Sequence, residues 1–178
     1  VFHNFTLIHD DIIDKADMRR GSQTVHNRWG SEQAILSGDV MAFVAGDCMA
    51  QAPEKSVPRI IRLFNRTAIE VCTGQQLDLE FEKKGVVSEE EYMRMIELKT
   101  AVLVAASLKI GAIIGDATEK DQELLHEFGR CLGIAFQIQD RRIRDHRPVE
   151  RAFGQELRRA QEGVHGPLAV RRHQDQAA

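Results

Sequence analysis

The sequence predicts an all-α fold, a bundle of long antiparallel helices around a central cavity. Three observations lead there. Apolar residues recur at three- and four-residue spacing through the first 140 positions, start and stop signals bracket each run, and no alternating strand pattern competes. Short links between long helices then make neighbours antiparallel.

The first helix is expected over about residues 1–17, where Leu7, Ile8, Ile12 and Ile13 surround a cluster of acids. A second, over 31–51, opens at Ser31 ahead of Glu32 and carries Leu36, Val40, Phe43 and Val44. The third, over 56–84, is periodic in Ile60, Phe64, Ala68 and Val71. The fourth, over 88–114, begins with the capping box Ser88-Glu89-Glu90-Glu91 and continues through Met95, Leu98, Val102 and Ala105. The fifth, over 118–140, follows Thr118 with Glu119 and Asp121. Gly30, Pro53, Gly85 and Gly115 mark the stops.

Composition excludes several classes. The 178 residues are 43% hydrophobic and 29% charged, as in a soluble globular domain, and no apolar run approaches the ~18 residues of a membrane span. Cys48, Cys72 and Cys131 are odd in number and far apart, which fits a reducing, cytoplasmic setting and three buried apolar thiols better than a disulfide framework. The chain opens at Val1 without a methionine and already inside an apolar-periodic segment, so it reads as cut into at its N-terminus.

Charge is unevenly placed. Residues 1–140 hold 15 Lys and Arg against 22 Asp and Glu; residues 141–178 hold nine arginines, no lysine and five acids. Such a tail could serve as a nucleic-acid or membrane patch. It lacks a phase-matched apolar face, and a poorly folded extension accounts for it better than a nucleic-acid partner does.

The chemistry concentrates in Thr6–Asp14, TLIHDDIID. At 100° per residue Asp10 and Asp14 stack on one helix face with Asp11 flanking them. Acids so close repel unless a cation joins them, and a few carboxylates completed by water and substrate phosphate are how Mg2+ is usually held. A solvated acidic face with Lys15 and Arg19 as partners is the plainer alternative, which the aliphatic flanks disfavour. Arg19 and Arg20 follow just past the expected helix end, suited to phosphate oxygens and equally to the helix dipole. Further polar intrusions are Gln75 with Asp78, Lys99 with Thr100, and Gln137 with Asp140. Each could be a solvated face; four on four helices suggest one shared cavity.

In order and spacing, HDDIID, RRG, TVH, LSGDVM, GQQLDL, LKTAVL and FQIQD closely resemble the trans-isoprenyl diphosphate synthases of the polyprenyl synthetase family, over about Val1 to Asp140. The resemblance implies the isoprenoid synthase fold, a homodimer, Mg2+ as cofactor with Mn2+ as substitute, and head-to-tail condensation of isopentenyl diphosphate with dimethylallyl, geranyl or farnesyl diphosphate. It implies that Asp10, Asp11 and Asp14 form the first aspartate-rich motif, and that Asp140 opens the second and takes a third metal. Arg19 would hold the allylic diphosphate and Arg20 that of isopentenyl diphosphate. Lys99, Thr100 and Gln137 would face the leaving group and the cation, with Gln75 and Asp78 lining the cavity. Product length in the family follows bulk just before the first motif. Phe5, with Thr6 beside it, is therefore expected to close the cavity floor and favour a C15–C20 product.

The resemblance fails after Asp140, where Arg141, Arg142 and Arg144 stand in place of a second DDxxD. An abrupt change to arginine-rich, lysine-free text is what a reading-frame shift produces, and the relatives' upstream lysine and arginine would lie before Val1. Activity is thus expected to be impaired in the chain as written. Two other classes stay open: a non-catalytic subunit of a heteromeric prenyl synthase, and a metal phosphohydrolase built on His9-Asp10 with His3.

Overall fold

The computed structural model describes residues 1–84 and 86–144, with side chains through Gln139. Among the described residues seven α-helices follow one another with one small hairpin: α1 Phe2–Ile13, β1 Met18–Arg19, β2 Ser22–Gln23, α2 Val25–Trp29, α3 Ser31–Ala50, α4 Val57–Lys83, α5 Glu89–Ile96, a π-helical turn Glu97–Ala101, α6 Val102–Ile114 and α7 Glu119–Arg144. Helix α1 packs on α3, α6 on α7, and α4 against both α6 and the π turn. Ile60, Met95 and Ile96 are the largest fully enclosed side chains, each stabilising the bundle by about 1.5–3 kcal/mol. Among the described residues no helix is long and apolar enough to cross a membrane.

Helix α1 stops four residues before the expected end. The amides of Lys15 and Ala16 turn back to the carbonyls of Ile12 and Asp11 at 3.3 and 2.9 Å, a Schellman closure with Lys15 in the left-handed region at φ 51°. No glycine announces it. Asp116, at φ 52°, closes α6 the same way through Ile113 and Ala112.

The chain then forms a two-residue hairpin, pairing Met18 with Gln23 and Arg19 with Ser22. Arg20 and Gly21 sit at its tip with φ of 51° and 79°, as a type I′ turn requires. The short helix α2 follows, and Gly30 at φ 95° caps α3, so Ser31 is the first helical residue and not the cap expected of it. The Ser88 capping box is present as expected: Ser88 Oγ accepts from the Glu91 amide and Glu91 Oε2 accepts from the Ser88 amide.

Two burial expectations are corrected. All three cysteines are exposed, Cys131 donating to Glu127 Oε1 at 3.4 Å. Helix α3 buries only Ala34, Gly38 and Ala45 and turns its large residues outward, with Leu36 65% and Phe43 81% exposed. The reason is close approach: α1 drives the His9 ring into α3 where Gly38 has no side chain. Small residues, not large ones, form that seam. The expected stop at Gly85 and the arginine-rich tail beyond Arg144 lie outside the described residues; the backbone of 141–144 continues α7, four residues past its expected end.

Candidate active site

Three elements converge on one ammonium group. Lys99, in the π turn, donates to Asp78 Oδ2 of α4 at 2.7 Å and to Asp10 Oδ1 of α1 at 3.3 Å. A π turn inserts one extra residue per turn and often marks a functional site. Here it presents Lys99 and Thr100 side by side. Burial pulls the Lys99 ammonium down, but its bond to Asp78 and the charges of Asp10 and Asp78 outweigh that and hold it above the ordinary lysine range. Lys99 is therefore a fixed cation. Gln137 of α7 donates to Thr100 Oγ1, bringing the last helix to the same turn.

The hairpin supplies a second cation. Arg19 Nε and Nη2 both reach Asp11 Oδ1 at 2.6 Å, and Nη2 lies 3.5 Å from Asp10 Oδ2. Asp11 is 3% exposed, and its carboxylate serves to seat this guanidinium. The three aspartates thus have different surroundings: Asp11 is buried on Arg19, Asp10 is shared between Arg19 and Lys99, and Asp14 is exposed as the C-cap of α1. Partial burial and the negative charges of Asp10, Asp78 and Glu82 raise the Asp14 carboxyl above its ordinary value, and Lys99 offsets this only in part. Uncompensated negative potential therefore remains on this face.

That potential is what a divalent cation would neutralise. Among the described residues no three His, Cys, Asp or Glu side chains form a ready metal cage. Mg2+ seldom uses one: it retains waters and takes one or two carboxylates plus phosphate oxygens. Asp10 and Asp14, four apart on one face, fit that demand. The side chains of Asp140 and of the remainder of the expected second motif lie outside those described.

Beside this face is a cleft of about 240 Å3 lined by residues including Asn4, Asp11, Arg19, Arg20 and Thr24. Arg20 stands exposed at the hairpin tip on its rim. His3, which the sequence reading placed only in a phosphohydrolase set, is also close to these cations: burial and then the charges of Arg20 and Arg19 hold its imidazole below the ordinary value. Its i−7 position relative to Asp10 was the signal that could have found it. His9 turns away, with Nε2 3.2 Å from the Ile35 carbonyl and 3.8 Å from Asp39 on α3, so the His9-Asp10 doublet does not act as one ligand pair.

Gln75 is half-buried on α4, one turn before Asp78. Thr6 stands one turn above Asp10 on nearly the same meridian, its hydroxyl donating to the His3 carbonyl at 2.8 Å. Phe5, five residues before Asp10, is rotated by about 140° from it. Its ring lies edge-on to Phe2 and His9, with centroids 5.2 and 5.0 Å away.

The polyprenyl synthetase family model matches residues 1–143. The chain is 45% identical over 141 residues to a geranylgeranyl diphosphate synthase of Methanosarcina mazei, covering 78% of this chain and 43% of that protein. It is 37% identical over 168 residues to a short chain isoprenyl diphosphate synthase of Methanocaldococcus jannaschii, covering 92% of this chain, and so reaching into the arginine-rich stretch, and 51% of that protein. Among solved structures, geranylgeranyl pyrophosphate synthetase of Pyrococcus horikoshii superposes with a TM-score of 0.76 at 45% identity, over 78% of this chain and 43% of that one. The chain spans about half the length of these relatives or less. On the family match, the shared all-α architecture and this identity, the chain belongs to the polyprenyl synthetase family.

Proposed function

We propose that this chain carries the first-aspartate side of a prenyltransferase site, which condenses isopentenyl diphosphate with an allylic diphosphate to give a C15–C20 prenyl diphosphate with Mg2+ as cofactor. The observation that carries the reading is Lys99, a fixed ammonium held by carboxylates from two other helices beside an arginine seated on a buried aspartate. Curated relatives named as geranylgeranyl, geranylfarnesyl and farnesyl diphosphate synthases support the substrate class.

Bound Mg2+ would supply charge neutralisation of the departing diphosphate. Asp10 and Asp14 would hold it. Lys99 and Arg19 would orient the allylic diphosphate and take up the charge that develops as its C–O bond breaks, and Arg20 would hold isopentenyl diphosphate across the cleft. The Thr100 hydroxyl, fixed by Gln137, would stand beside the carbon chain, and the aliphatic walls would exclude water from the cation. Asp11 serves by holding Arg19, and Gln75 and Asp78 by lining the cavity. A cytoplasmic homodimer is the assembly expected; the exposed stripe of Leu36, Val40 and Phe43 on α3 supports a second copy covering it.

The test is incubation of the chain, extended at both ends to the length of the relatives it matches, with labelled isopentenyl diphosphate, Mg2+ and geranyl or farnesyl diphosphate, followed by sizing of the product, with Asp10→Ala as control. Label in a C15–C20 diphosphate that Asp10→Ala abolishes is expected. Absence of incorporation, or incorporation indifferent to Asp10, would refute the reading.

A further inference from the structure

The π turn that presents Lys99 is gripped by backbone on both sides. On α4, a Cβ added at Gly74 would lie 2.6 Å from Lys99 Cα and 2.7 Å from the Leu98 carbonyl carbon. On α7, a Cβ at Gly133 would lie 2.5 Å from Ala101 Cα and 3.0 Å from its Cβ. These are main-chain obstacles and cannot swing aside. Both glycines are buried within helices, where glycine is intrinsically less favourable than alanine. Their presence at the turn that carries Lys99 and Thr100 therefore calls for a packing reason.

Gly74 also has a lever. Asp78 is four residues further along α4, on the same face, and its carboxylate receives the Lys99 ammonium at 2.7 Å. The depth to which α4 sinks against the turn sets that distance. Carbon atoms in contact sit near 3.5 Å, so a methyl at Gly74 would push α4 and the turn apart by about 1 Å. A 2.7 Å charge-assisted hydrogen bond does not survive such a displacement unchanged.

We propose that Gly74 is a positioning residue for Lys99: by letting α4 touch the π-turn backbone, with Gly133 bracing the turn from α7, it fixes the ammonium between Asp78 and Asp10. The consequence for diphosphate binding rests on the proposed function; the positioning itself does not. Gly74 touches no substrate and acts only through Lys99.

The test separates the two. Lysine acylation by an amine-reactive ester is followed residue by residue by mass spectrometry, with Lys109, which donates to Glu123 at 2.6 Å, as internal reference. In Gly74→Ala the labelling rate at Lys99 should rise about tenfold, the exposure expected when a charge-assisted hydrogen bond opens, while Lys109 is unchanged. Gly111→Ala, at an exposed glycine whose added Cβ meets nothing within 4 Å, should change neither. An unchanged Lys99 rate overturns the proposal, and so does a parallel rise at Lys99 and Lys109, which would mark general loosening. If Gly74→Ala loses its helical far-ultraviolet spectrum, Gly133→Ala replaces it under the same criteria. In parallel, magnesium pyrophosphate is titrated into the wild-type, Gly74→Ala, Lys99→Ala and doubly substituted chains. If the wild type binds, Gly74→Ala should cost nothing further in the Lys99→Ala background, and an additive loss counts against positioning. If the wild type does not bind, the proposed function fails and the labelling result alone decides the role of Gly74.

Discussion

Replacing Lys99 with methionine keeps most of the side-chain volume and removes the charge. Asp10 and Asp78, whose side chains are 19% and 25% exposed, would then face a common space without the ammonium between them. A unit pair 4 Å apart interacts by about 4 kcal/mol at an effective dielectric of 20, somewhat more at the shorter distances found here, and desolvation of the partners offsets much of that. A net loss of about 1–3 kcal/mol is therefore expected, measured as the shift in urea midpoint at constant slope. The pH dependence is a sharper check. Because the folded-state pKa of Lys99 lies above the ordinary 10.5, its contribution is fully present below that value and lost only as pH rises through the higher folded one. The difference between wild type and Lys99→Met should thus be constant from pH 6 to 9 and shrink in stronger base, by this linkage. Equal stability of the two chains at pH 7, or a gap that closes between pH 6 and 9, would refute the assignment of Lys99 as a fixed cation.

The other aspartates should respond in opposite directions. Asp14→Asn should stabilise the metal-free chain at neutral pH: the Asp14 carboxyl is raised in the fold, so its ionised form is penalised above that value, and the advantage of asparagine should vanish below about pH 3.8. Asp11→Ala should destabilise by about 2–3 kcal/mol in the same unfolding assay, because it removes both short bonds to Arg19 and leaves the guanidinium only its longer contact with Asp10. Ser88→Ala removes the capping box of α5 and should cost about 0.5–2 kcal/mol in thermal unfolding, without altering pyrophosphate affinity. Phe5→Ala opens the aromatic cluster of Phe2, Phe5 and His9 and should lengthen the prenyl product; an unchanged product distribution would remove Phe5 from the cavity floor.

Helix periodicity and terminal signals made α3, α4 and α7 legible because those helices are long and begin or end at proline, glycine or acid-rich turns. The end of α1 was not legible, since Lys15 adopts a conformation that sequence patterns assign to glycine. Nor was the π turn. The spacing of Met95, Leu98, Val102 and Ala105 reads as one unbroken helix, and only the backbone of Glu97–Ala101 shows the extra residue. Helix α3 shows the limit of apolar pattern from the other side: Leu36, Val40 and Phe43 form a stripe that the fold exposes, while Gly38 makes the contact. In the site, spacing brought out Asp10 and Asp14, the Gln75–Asp78 pair and the Lys99–Thr100 pair, while the meeting of Lys99 with Asp78 across 21 residues needed the fold. The pairing of Asp11 with Arg19 needed the hairpin, whose two-residue strands are too short to leave an alternating pattern.

On the proposed function the face of Asp10, Asp14, Lys99 and Arg19 takes a diphosphate held through a divalent cation. Inorganic pyrophosphate titrated calorimetrically into the protein, with Mg2+ and then with excess chelator, puts this to the test. Binding that requires Mg2+ and is lost in both Asp10→Ala and Lys99→Ala is the predicted result; pyrophosphate binding that persists in chelator, or that neither substitution weakens, would contradict it.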